Sequence, residues 1–533
     1  MNVFVNILKI LIILVAIVIG VALLLLAALV LFPGFSLFGL HYISGDGKTV
    51  GHYINLDSTA EENYVQEWNN TNTVSIITTD WDIEVRPVDK SSENNYMVDT
   101  ITALFTHRYN GFVYGDVNEP SLKTPRFVEQ TDGSYTLVYE VAEPGGGWLS
   151  KTDTKLVILF DPEDFVGKNL DIQTRSGIVK IGNNLRYEQT DDSSNSKKVS
   201  VDFTSGDISV SDESGAVTIG DVNVNGEVRV DKNSGDFTSQ VNLNENVFID
   251  ISGGFGKISL KNVGTSAGET GLILQEIHNS NITFDTVKGD LSFIGSGGLI
   301  RGENVEGTLS VDGGNCDVIL TKVDGIINWN STDGSLELKA ASSNVLANCS
   351  GSGQINIESI LGNANISTNS GAINLPDTKA NVTAKSNGGA ITINGSNNTA
   401  TYDVSSRSGR VTLSNVCGNV IFNATDNGNA SLDVSYISLQ GENVLNSQTG
   451  EIKVTVGSAM PFFLEGWSTN NSVNIDISGC RSNASKSADT EFANGVAIND
   501  GSASNSLLIT SISGSISICL LYTSPSPRDR TRS

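Results

Sequence analysis

Asp290, Asp312, Asp317 and Asp324 lie in one stretch of chain at intervals that a regularly wound backbone would bring to neighbouring positions. A pair of carboxylates, or a carboxylate beside Arg or Lys, on one exposed face is what general acid–base cleavage of a glycosidic bond requires. Aspartate also fills turns, where its short carboxylate accepts hydrogen bonds from nearby backbone. The turn role is the expectation for these four, and no catalytic residue is assigned. The histidines, His41, His52, His107 and His278, show no metal-ligand spacing, and Asp312-Gly313 and Asp333-Gly334 are pieces of a calcium loop without the remaining ligands. No metal or cofactor is therefore expected. Cys316, Cys349, Cys417 and Cys480 form no CxxC pair, and their spacing leaves free thiols and disulfides equally open.

Exposed aromatic rings could bind sugars. Trp329 falls on a strand position of a repeat unit, where burial is the default for so large a ring. Phe462, Phe463 and Trp467 interrupt the repeat next to Met460-Pro461 and read as a bulged loop or a contact patch.

The elements that must carry these residues are set by a five-residue unit, Gly-x-Φ-x-Φ with Φ apolar, seen in Gly177 to Ile181, Gly353 to Ile357, Gly371 to Leu375 and Gly389 to Ile393. Alternation sends both Φ side chains to one face of a strand, and glycine is read as taking the backbone through a turn that other residues resist. Gly289, Gly307 and Gly325 are 18 residues apart, as are Gly353, Gly371 and Gly389. A fixed short period is the mark of a solenoid, whereas an antiparallel sandwich gives no reason for it. The reading is all-β: a β-solenoid (β-helix) of about 18 residues per coil, with Ile355, Ile373 and Ile391 stacked in one ladder and Ile357, Leu375 and Ile393 in another. Two or three sides per coil both fit.

The domain reading runs from the amino end. Residues 1–9 are a short cytoplasmic terminus and 10–32 an uncharged apolar run that spans about 34 Å as a helix, enough to cross a bilayer. It is read as a retained anchor rather than a cleaved signal, because no small-x-small site precedes Pro33. Lys9 before it and the acidic bulk after it place the remainder outside the cell membrane as a single-pass protein. Residues 33–168, with longer alternating segments and Trp68, Trp81 and Trp148, read as a linker and β-rich cap. Residues 169–518 are the solenoid. Residues 519–533 resemble one reading frame of a sequencing adapter and are set apart from the fold. With 59 acidic against 33 basic groups the net charge is −26, which excludes a nucleic-acid binder held by phosphate contacts.

Ile83-Glu84-Val85, the segment Phe160 to Glu163 together with Leu170 to Gly177, and the reiterated Ser-Gly-x-Ile-x-Ile units resemble the bacterial putative adhesin domain family, β-strand repeats commonly set behind a membrane helix. The resemblance implies a β-helical surface domain and carries over no catalytic residue. A non-enzymatic, adhesin-like surface protein, bound to the membrane and meeting a glycan or protein of another surface, is the expectation. A surface polysaccharide-degrading enzyme on the same scaffold and an envelope scaffold or sensor are the alternatives.

Overall fold

The computed structural model describes residues 2–521 apart from 33–35, 38, 56–66, 80, 88–100, 115–124, 142–149, 161–164, 183–184, 190–195, 201–203, 206, 213, 221–222, 225, 253–255, 397–398, 427, 470–472, 477–490, 500 and 503. Trp148, Cys480 and residues 522–533 lie outside them, as do the side chains of His41, His52 and His107. The chain divides into two compact units, Met1–Val241 and Asn242–Ser533.

In Asn242–Ser533 the five-residue units become short parallel strands. Ile355 lies opposite Ile373 and Ile373 opposite Ile391, all three buried, and Leu375 lies over Ile393, so like side chains stack as the period predicts. Each such side chain taken out of water contributes about 1.5 to 3 kcal/mol, and every coil supplies several. A second ladder runs Val345, Ala364, Val382 on the strands Val345–Cys349, Ala364–Thr368 and Val382–Ser386. The strands Cys316–Val323, Leu336–Ala341 and Ile355–Ile360 bend after two successive outward residues and turn one more side chain inward. Val305, Val323, Ala341 and Ile360 then form a short third ladder. A coil here has two long sides and a short one, which spacing alone left open. All of these pairings are parallel, so the sandwich is excluded.

The corner glycines owe their identity to crowding rather than to the turn freedom expected of them. Gly353, Gly371, Gly389 and Gly409 all stay out of the left-handed backbone region. A Cβ on Gly371 would instead overlap the carbonyl oxygen of Gly353, one on Gly389 that of Gly371, and one on Gly409 that of Gly389. Three residues before Gly371, Gly389 and Gly409 an inward hydroxyl closes the corner, while at Gly353 the inward residue is Cys349, four before. Thr368 Oγ1 accepts the Gly371 N–H at 3.0 Å, Ser386 Oγ that of Gly389 at 2.9 Å and Ser406 Oγ that of Gly409 at 3.0 Å.

Met1–Val241 uses the same coil with less regularity. Val74 and Ile76 pair with Leu170 and Ile172, which pair with Ile208 and Val210 and then Val228 and Val230. On the other side Ile83, Val179, Val217 and Phe237 come one after another. The ladder therefore begins at Thr71–Ile77 and Asp82–Pro87, ahead of the boundary expected at residue 169. Residues 88–168 separate that first coil from the second in sequence, which hides its period. Part of this long intervening segment pairs at the ladder's edge. Tyr135–Glu140 lies parallel to Thr71–Ile77 and Ser150–Phe160 parallel to Asp82–Pro87. Beyond them come antiparallel strands: Arg126–Glu129 on one side, and Ile101–Tyr114 then Leu40–Asn55 on the other. Edge strands with free backbone groups invite pairing with other chains, and covering the parallel ladder limits that exposure.

Helix Asn2–Leu31 contains the apolar run Lys9–Leu31, 23 residues of mean hydropathy 3.5, long enough to cross a membrane.

The last coils are threaded out of sequence order. Gly441–Ser447 and Ile452–Gly457 pair with Asn505–Ser511 and Ile516–Leu521, which pair in turn with the earlier segments Phe462–Ser468 and Val473–Asp476. Glu491–Ile498 then runs antiparallel to Phe462–Ser468. The alternation expected to stop at Ile518 continues in strand to Leu521, with Cys519 opposite Thr455.

Candidate functional site

The four aspartates singled out by spacing do not converge as a catalytic set. Each accepts a hydrogen bond from the residue 18 positions on, in the next coil: Asp290 from the Thr308 N–H at 2.7 Å, Asp312 from Asn330 Nδ2 at 3.1 Å, Asp317 from the Ser335 N–H at 2.8 Å and Asp324 from Ser342 Oγ at 2.7 Å. Asp290 and Asp317 sit at the starts of two different sides of the coil, Asp312 faces outward from a long side, and Asp324 comes just after the short ladder. Lys322 beside Asp324 and the Ser342 hydroxyl hold its carboxyl below the ordinary aspartate range. These are inter-coil struts. Among the described residues no cluster of His, Cys, Asp and Glu could hold a metal ion.

Outward positions repeat the same device with neutral groups. Asn330 Oδ1 accepts from Asn348 Nδ2 at 3.1 Å, and Asn348 Oδ1 from the Ser367 hydroxyl. Asn374 Nδ2 donates to Asn356 Oδ1 at 2.9 Å and Asn387 Nδ2 to Asn369 Oδ1 at 2.8 Å, each 18 residues apart. Part of the asparagine content of this unit thus forms amide ladders between coils, with identical groups stacked as in a cross-β array.

Among the described residues, concavities interrupt this regularity at two candidate places. One, of about 540 Å³, lies on an outward face lined by Arg301, Glu303, Glu337 and Lys339, beneath which the buried Phe284 ring packs against Gly302, where a Cβ would collide with it. The other, of about 710 Å³, lies at the corner formed by residues 437–441, 457–461 and Asn505 and holds no charged side chain. Beside that corner, buried Asn443 accepts from the Val420 N–H and the Tyr436 hydroxyl and donates to the carbonyls of Gln440, Gly441 and Ser506.

Trp329 is buried, as its strand position implied, in the column Val311, Trp329, Ala347, where the alanine makes room for it. Its role is packing. Phe462, Phe463 and Trp467 lie on a strand rather than a loop, with the expected irregularity surviving as a register shift against Glu491–Ile498 between Leu464 and Trp467: Phe462 points inward, while Phe463, Glu465 and Trp467 face outward, Trp467 being 37% exposed. Cys316, Cys349 and Cys417 are buried free thiols, and burial, helped by the nearby Asp317 charge, pushes the Cys316 thiol up to about 12. Such a thiol is inert rather than catalytic.

The chemically most unusual pair was not singled out in the sequence. In the inward corner column of Met1–Val241, Thr174, Asp212 and Lys232 lie over one another. Lys232 Nζ meets Asp212 Oδ2 at 2.7 Å with both side chains wholly buried. The available signal was positional: Asp212 and Lys232 each stand three residues before a glycine, Gly215 and Gly235, where other coils carry Ser or Thr.

The fold is an all-β, β-solenoid architecture of parallel coils with one apolar helix at the amino end. No family model matches the chain and no curated protein matches it. A solved structure from Clostridium sporogenes, described as a putative cell adhesion protein, aligns with 89% of this chain and 100% of its own at 7% identity and a TM-score of 0.13. A likeness of that size carries no argument about function.

Proposed function

We propose that the chain is a membrane-tethered, non-enzymatic surface protein of adhesin type, whose coils present a long polar face to a glycan or protein of another surface. The observation that carries this reading is the use of the outward side chains. The spaced aspartates each tie one coil to the next, and the amide ladders between them leave a regular, neutral, hydrogen-bonding array. Outward-facing Phe463 and Trp467 add apolar rings of the kind that stack on sugars. Helix Asn2–Leu31 supports the tether.

The test uses the full chain in liposomes, presented to glycan arrays and to intact cells. Binding that weakens at least tenfold in Trp467→Ala, with no consumption of the glycan, is the expected result. Absence of binding to every surface would overturn the reading. The enzymatic alternative has one concrete location, the face carrying Glu303 and Glu337 beside Arg301 and Lys339. Turnover of an acidic polysaccharide that disappears in Glu337→Gln would replace adhesion with that activity.

A further inference from the structure

We propose that Lys232 and Asp212 join covalently, as an intramolecular amide between Nζ and Cγ, and so lock two successive coils of the first unit together. The geometry holds the reacting groups and the means to stabilise the reaction. Lys232 Nζ lies 2.7 Å from Asp212 Oδ2 with both side chains at zero exposure. The other carboxylate oxygen, Oδ1, accepts the Gly215 N–H at 3.0 Å and, at 3.2 Å, the Ser214 N–H, which is shared with the Arg175 carbonyl at 3.1 Å. Two fixed amide donors on one oxygen are the arrangement that stabilises the negative charge of a tetrahedral acyl intermediate.

The atoms balance without a co-reactant. One proton passes from the Lys232 ammonium to Asp212 Oδ2. The amine lone pair forms the Nζ–Cγ bond, and the displaced electron pair rests on Oδ1 between the two N–H groups. The Gly215 carbonyl, which also accepts from Nζ, holds the nitrogen at the carboxyl while it reacts. Collapse of the intermediate breaks the Cγ–Oδ2 bond, and a second proton from nitrogen leaves with that oxygen as water. One hydrogen stays on the amide.

Two features of the site favour this outcome over a permanent ion pair. Separating two charges from water is costly, and an amide in the same place removes both. Desolvation also lowers the Lys232 pKa, against the pull of Asp212 and Asp236, which brings the neutral amine within reach. Exclusion of water from the corner opposes the reverse hydrolysis. The neighbouring position in the column carries Thr174, whose hydroxyl donates to the Thr79 carbonyl, so no second amine or carboxylate competes there.

The experiment is peptide mass mapping of the denatured full-length protein after trypsin. Cleavage at Lys198, Arg229, Lys232 and Lys257 releases Asp212 in the peptide 199–229 and splits Lys232 from Asn233. The amide predicts a branched species joining 199–229 to 230–257, uncut at Lys232 and lighter by one water than the two peptides together. It is lost in Lys232→Met and in Asp212→Ala. Recovery of 199–229 as a separate linear peptide with Lys232 cleaved overturns the proposal. A water loss confined to that linear peptide does so as well, because it reports dehydration within 199–229, such as a succinimide, and no bond to Lys232.

Discussion

The two units use the same corner differently. In Asn242–Ser533 the inward position three residues before the corner glycine carries Ser331, Thr368, Ser386, Ser406, Ser447 and Ser511, each donating or accepting within its own corner. In Met1–Val241 the same position carries Thr174, Asp212 and Lys232, and two of the three are charged and bonded to each other across coils. The spacing differs in parallel. Gly353, Gly371 and Gly389 recur at 18 residues, whereas Gly177 and Gly215 are 38 apart, with the hairpin of Leu185–Gln189 and Ser196–Ser200 between them. Where coils are regular, neutral hydroxyls and stacked aliphatics suffice. Where the chain leaves the ladder and returns, a strong cross-coil tie marks the place of return.

Substitutions at this corner test the contrast, the severest first. Asp212→Ala leaves the Lys232 ammonium buried without its carboxylate, and the first unit is expected to lose about 3 to 5 kcal/mol in urea unfolding. A loss no larger than that of a hydroxyl would erase the distinction between the two columns. Next comes a pair of adjacent glycines in the regular unit. Gly389→Ala drives a Cβ into the Gly371 carbonyl and should cost about 3 kcal/mol, while Gly388→Ala meets only ordinary contacts beyond 3.5 Å and should change the melting temperature little. Equal effects would return the explanation to backbone freedom. Ser386→Ala removes the acceptor of the Gly389 N–H and should cost about 1 kcal/mol.

Acid gives a smaller, distributed effect. The carboxyls of Asp324 and Asp377 titrate below their ordinary range, Asp324 through its bonds from Lys322 and Ser342 and Asp377 through those from Ser396 and Ser359. A lowered folded-state value means stability that is present above the unfolded aspartate pKa and is lost as pH falls through the folded one. The urea midpoint of the second unit should therefore decline only on acidification past the usual aspartate range, and Asp324→Asn with Asp377→Asn should flatten that decline. A decline that persists unchanged in the double variant would assign it elsewhere. Cys349 stands in the column of Ser331 and Thr368, so Cys349→Ser should shift stability by less than about 0.5 kcal/mol.

The architecture was legible in the sequence wherever one coil succeeds another directly. Ile355, Ile373 and Ile391 could be stacked from their spacing because nothing intervenes, and the ladder holds them so. The first coil was not legible, since residues 88–168 stand between Asp82–Pro87 and Val179–Ile181, and no period survives so long a gap. The exchange of order at the other extreme, where Ile516–Leu521 lies between Ile452–Gly457 and Val473–Asp476, leaves no local mark at all, because strand pairing is a long-range choice. At the candidate sites, spacing drew attention to Asp290, Asp312, Asp317 and Asp324 as residues one winding could bring near each other, but they occupy four different points of the coil. Spacing could not see that each faces its successor rather than its neighbours. Asp212 and Lys232 were visible as charges in a hydroxyl position, but their pairing depends on a 20-residue step instead of 18.

Direct stacking of successive coils can be read by disulfide trapping. Asn356 and Asn374 are register partners on outward positions of adjacent strands, while Thr392 lies one coil further on. A disulfide needs Cα atoms within about 7 Å, which adjacent parallel strands satisfy and strands two coils apart do not. Mild oxidation should therefore close the bridge in Asn356→Cys with Asn374→Cys and leave Asn356→Cys with Thr392→Cys open. Closure of the second pair, or failure of the first, would contradict the coil register on which the whole account stands.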